Sequence, residues 1–98
     1  MFTFKRTLRT ERSERFLAYD QGTEVAAIDM HYIGAIGSGT VILLETHEWN
    51  NESIEQLLTQ FDDDQLPGVD IDHGNLTFTV VRGTIVGNYQ PEIPPRQS

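Results

Sequence analysis

"WNNESIEQLLTQF" (residues 49–61) is where the hydrophobic period of this chain changes, and the fold turns on that change. Ile54, Leu57, Leu58 and Phe61 recur at i, i+3, i+4 and i+7, which is one face of a helix. The entry agrees. Asn50 fits the N-cap, where its side chain accepts from first-turn amides, Glu52 complements the helix dipole, and Trp49 and Ile54 occupy the two positions of a hydrophobic staple. The exit falls before "LPG" (66–68), because proline disfavours helical geometry in the residue preceding it and glycine then supports a turn.

Upstream of that stretch the chain alternates with the period of two that marks half-buried strands. Phe2, Phe4 and Leu8 fall on one side of the first segment, interrupted by Arg6, and Thr3, Lys5, Thr7 and Arg9 fall on the other. "TERSER" (10–15) reads as a connection and "RFLAY" (15–19) as a second strand, ending at the glycine-containing turn "DQGT" (20–23). From Glu24 to Ile33 a third strand sets Ala26, Ile28, Met30 and Tyr32 against Val25, Ala27, Asp29 and His31. "GAIGSG" (34–39) supplies glycines for a turn, and "TVILLE" (40–45), apolar on both faces, suits a central strand covered on both sides. Downstream of the helix, "NLTFTVVRGTIVGNY" (75–89) reads as two strands with Leu76, Phe78 and Val80 on one face and a tight turn at Arg82-Gly83.

The expected order is therefore ββββαββ, an α+β domain in which one amphipathic helix packs on an antiparallel sheet of about six strands. Residues 1–90 form a single domain, and "QPEIPPRQS", rich in proline and polar residues, leaves 91–98 as a flexible tail. A chain of 98 residues buries one core without help from metal or disulfide, and the absence of cysteine excludes thiolate zinc sites and cysteine nucleophiles. No apolar run approaches the roughly 20 residues a membrane helix needs, and the charged start is not a signal sequence, so the expected location is cytoplasmic with no membrane partner.

Charge is distributed unevenly. Residues 1–15 hold Lys5, Arg6, Arg9, Arg12 and Arg15 against Glu11 and Glu14, an excess of three positive charges in a chain of net charge −8. The acidic body opposes phosphate, so nucleic acid is not the expected partner, although Lys5, Arg9, Arg12 and Arg15 near Phe2, Phe4 and Phe16 are the partner-binding candidates of that basic hairpin.

The densest cluster of functional-looking groups is "FDDDQLPGVDIDHGN" (61–75). Asp62, Asp64, Asp70, Asp72 and His73 are the metal candidates, as oxygen ligands suit calcium or magnesium. An EF-hand starting at Asp70 fails, because it wants an acidic or amide residue at Gly74, a glycine at Asn75 and a glutamate at Val81. Three carboxylates at a helix C-terminus also oppose its dipole, and the basic first segment is the nearest source of compensating charge.

Other constellations are incomplete. Asp29 and His31 share a strand face without a serine nucleophile in an elbow context, "HEW" (47–49) lacks the second histidine of H-E-x-x-H, and "GAIGSG" lacks the lysine and following helix of a phosphate loop. Convergence of Asp29, His31, His47 or His73 into one concave pocket would point to catalysis instead. The expected function is a non-enzymatic, cofactor-free binding or protein-interaction module whose partner is a protein or a second copy of itself, acting through charge poles or an exposed strand edge. The alternatives are a divalent-metal module or hydrolase at 62–73, and nucleic-acid binding through the basic hairpin.

Overall fold

The computed structural model of the chain describes residues 1–34, 36–66 and 76–91. Five strands and one helix follow in the order β1 (Phe2–Arg9), β2 (Ser13–Asp20), β3 (Thr23–Ile33), β4 (Ile36–Leu44), α1 (Asn51–Gln65) and β5 (Leu76–Gly83). They form one sheet with spatial order β1-β2-β3-β4-β5.

The first four strands are an antiparallel meander, as the alternation requires. "DQGT" makes a two-residue turn: Gln21 and Gly22 adopt φ of 50° and 82°, the left-handed pair whose twist matches that of the flanking strands. β2 starts at Ser13, earlier than the polar run suggests, because Thr10 closes the preceding turn locally. Its Oγ1 accepts from the Ser13 amide at 3.0 Å, and its own amide donates to the Ser13 carbonyl at 2.8 Å. In "GAIGSG" Gly34 follows β3 at φ 59°, and Ile36–Gly39 already belong to β4.

The helix enters as its sequence dictates. Asn50 Oδ1 accepts from the Ser53 amide at 2.8 Å, and the Asn50 amide donates to Ser53 Oγ at 2.9 Å, a reciprocal capping box with Glu52 in the first turn. Fifteen residues carry the chain about 22 Å, back along the sheet from the end of β4 toward its beginning. The strand that follows such a crossover runs the same way as the one before it.

The sheet is mixed rather than purely antiparallel, because β5 pairs with β4 in parallel, with Thr40 opposite Thr79 and Ile42 opposite Val81. It also has five strands among the described residues rather than six. Arg82-Gly83 does not turn, since a two-residue hairpin wants its first central residue at positive φ and arginine is costly there, so β5 runs through to Gly83.

One face of the sheet is covered. Phe16, Ala18, Ala26, Ile28, Met30, Val41 and Leu43 from the strands meet Leu57, Phe61 and Trp49, with Phe4, Ile54, Leu58, Phe78 and Val80 packed around them. Phe61 is fully buried and stands edge-on to Phe4, Phe16 and Phe78, with centroids at 5.4, 4.9 and 6.3 Å. The Phe2 amide donates to Gln60 Oε1 at 2.8 Å, tying α1 to the first strand.

The other face is open, contrary to a β4 covered on both sides. Leu17, Ala27, Ile42 and Val81 stand opposite one another in a half-exposed row across four strands, beside the exposed Thr40, Ser38 and His31. No described helix is long and apolar enough to cross a membrane.

Candidate functional site

Polar groups gather at the two ends of the helix-covered face. At one end, Glu14 of β2 lies beyond Phe16 and takes three partners. Arg6 Nη1 stands 3.3 Å and Arg9 Nε 3.7 Å from Oε1, and the Tyr32 hydroxyl donates to Oε2 at 3.0 Å. Arg9 reaches this face because the β1–β2 register shifts between Arg6 and Leu8. That extra residue moves every later side chain across the sheet, so Leu8, expected beside Phe2 and Phe4, is half-exposed on the open face opposite Arg15.

Burial holds the Tyr32 phenol well above its ordinary range, the hydrogen bond and charge of Glu14 push it the same way, and Arg9 opposes them. A neutral Tyr32 therefore stabilises the fold fully below about pH 10, the ordinary phenol value, and that contribution is lost as pH climbs through the folded value. Glu14→Gln should lower the midpoint at which the Tyr32 ring signals titrate, leaving it above ordinary because burial is the larger cause. An unchanged midpoint would remove Glu14 from the account. All four groups are engaged with one another, which is the pattern of a structural network.

At the other end His47 sits between rings, edge-on to Phe2 at 5.8 Å and tilted against Trp49 at 4.5 Å, with Nδ1 3.7 Å from Asp20 Oδ2. Trp49 is fixed by its indole N–H, which donates to the Leu44 carbonyl at 3.1 Å, and Arg82 Nη2 donates to the Trp49 carbonyl at 3.1 Å. Glu45, His47, Trp49 and Arg82 surround a cleft of about 250 Å³ floored by Leu43 and Leu44. A larger depression of about 420 Å³ beside it is lined by Thr23, Glu24, Leu44, Thr46, Thr84 and Ile85. Neither lining holds a serine; the hydroxyls of the larger one are Thr23, Thr46 and Thr84, and Thr46 Oγ1 donates to the Glu24 carbonyl.

Of the metal candidates, Asp70, Asp72 and His73 lie outside the described residues. Asp62 and Asp64 are exposed on the last helical turn. Among the described residues no three His, Asp or Glu side chains are placed to hold a metal ion. The basic candidates separate. Arg15 Nε meets Asp29 Oδ1 at 2.6 Å and Arg9 meets Glu14, while Lys5 and Arg12 are exposed. The described ion pairs of the hairpin thus lie within the sheet and not at the helix end, and Phe2 and Phe16 are buried rather than offered to bases. Asp29 and His31 do share the open face, but Asp29 is engaged by Arg15 and His31 faces Ser13 and Ser38, far from convergence with His47.

What remains is the contrast between the sheet's two edges. β1 is blunted: three of its eight residues, Lys5, Arg6 and Arg9, are cationic, and its register is broken by the shift after Arg6. β5 reads LTFTVVRG, carries Arg82 as its single charge, pairs in unbroken register with β4, and has no second neighbour among the described residues. Beyond it Ile85, Val86 and Tyr89 are exposed. The one-charge composition of 76–83 is visible in the sequence, but its edge position follows only from the parallel crossover. Comparison of the chain with models of known protein families, with curated proteins and with solved structures finds no match.

Proposed function

We propose that this chain is a protein-interaction module that captures an extended segment of its partner at the edge of β5. The observation that carries the reading is the asymmetry of the edges: charge and a register break protect β1, whereas β5 is regular in register, rich in β-branched residues and nearly uncharged. In a strand paired on one side only, alternate residues turn their N–H and C=O groups outward, and another strand is their natural complement. Backbone hydrogen bonds would supply affinity, and the side chains beside the edge would select the guest: Thr77, Thr79 and Val81 on the open face, Phe78 and Val80 on the helix face.

The test uses a neutral octapeptide of alternating threonine and valine as probe, followed through backbone amide shifts. The expected result is saturable change confined to Leu76–Gly83 and its neighbour β4, with Phe2–Arg9 unmoved. Equal response at both edges, or none, would refute the reading.

A further inference from the structure

We infer that the strand received by β5 is the β5 of a second copy, paired antiparallel about a two-fold axis normal to the sheet. This rests on the edge-capture reading above and names its partner. Two copies can meet edge to edge in three ways, and charge and closure separate them. Pairing β1 with β1 brings two sets of Lys5, Arg6 and Arg9 together across a register break. Pairing β1 with β5 is head-to-tail and leaves a free edge at each end, so it propagates instead of closing. Pairing β5 with β5 is isologous, stops at two copies, and joins the less charged of the two edge strands in a chain of net charge −8.

The two-fold also constrains register. An axis normal to the sheet preserves its faces, so each residue must oppose one of the same face. Centring the axis on Thr79 satisfies this and keeps seven consecutive residues, Leu76 to Arg82, inside the pairing. Thr79 then opposes Thr79 of the other copy, Phe78 opposes Val80, and Thr77 opposes Val81, all favourable cross-strand combinations. Leu76 opposes the aliphatic stem of Arg82, whose guanidinium is already held by the Trp49 carbonyl. The product is a ten-stranded sheet with both helices on one side and the two Leu17-Ala27-Ile42-Val81 rows on the other.

The experiment is light scattering of the full chain from micromolar to millimolar concentration, with Thr79→Lys and Thr3→Lys as variants. Both replace an exposed open-face threonine on an edge strand, so the second controls for added charge. The expected result is a mass twice 11.1 kDa at high concentration, retained by Thr3→Lys and reduced to the monomer by Thr79→Lys, which sets two ammonium groups opposite each other. Isotope-filtered cross-chain contacts between Phe78 and Val80 in the unsubstituted chain give the same answer should Thr79→Lys fail to fold. A dimer indifferent to Thr79→Lys, or a ladder of larger species abolished by Thr3→Lys, overturns the inference. A chain monomeric at millimolar concentration whose β5 amides still respond to the octapeptide overturns it and leaves edge capture standing, whereas a monomer with no response ends both.

Discussion

Replacing Phe61 with alanine is expected to destabilise the fold by about 3–5 kcal/mol, the range for removing a large aromatic from a closed core. Its ring is fully buried and is shared by three others, Phe4 on β1, Phe16 on β2 and Phe78 on β5, so its loss opens a void that no single neighbour can fill. The effect is magnified by architecture. α1 is the only layer over the sheet among the described residues, and Leu57 and Phe61, with the C-cap residue Leu66, are its buried anchors. A domain of this size has on the order of 5–10 kcal/mol of net stability, so the variant should lie close to its unfolding transition at room temperature. Urea denaturation checks this through the midpoint, and Phe61→Leu should retain most of the stability by keeping most of the volume. A Phe61→Ala loss below about 1 kcal/mol would mean that the aromatic cluster does not hold the helix to the sheet.

Phe61 was legible in the sequence, and so were the elements around it, for a shared reason. The helix period, the Asn50 cap, the Gln21-Gly22 turn and the Ala26–Tyr32 alternation are local, each fixed by residues within a few positions. What escaped was set by pairing across the sheet. The extra residue between Arg6 and Leu8 has no sequence mark, yet it sends Leu8 outward and brings Arg9 to Glu14. Arg82-Gly83 resembles a turn, but β5 is committed by its partner β4 before it reaches that pair. The acidic stretch drew attention because charge density is visible in one dimension. The edge of β5 is a property of which strand stands beside which, and only the crossover through α1 creates it.

Gly39→Val is the second substitution with a large expected effect, and it bears on that edge. Gly39 of β4 lies between Met30 of β3 and Phe78 of β5 in one row of the helix-covered face. A Cβ at residue 39 would stand 2.6 Å from Phe78 Cδ1 and 2.7 Å from Met30 Sδ, closer than carbon and sulfur can approach. Methionine can bend away, but Phe78 is held against Phe61, so the aromatic ring must leave its place or β5 must shift with it. Overpacking of this kind costs about 1–3 kcal/mol, and the strain falls on the strand that offers its edge. Denaturation should show the loss, and faster exchange of the β5 amides than of the β2 amides should show where it falls. Pairing it with Phe78→Leu supplies the decisive comparison. If Gly39 is there to admit the ring, the double variant should recover part of what Gly39→Val loses, with a coupling of about 0.5–3 kcal/mol. Simple additivity would assign the glycine to backbone conformation instead, but its φ lies outside the left-handed region, and valine favours strands. The steric account therefore predicts rescue where the conformational one predicts none.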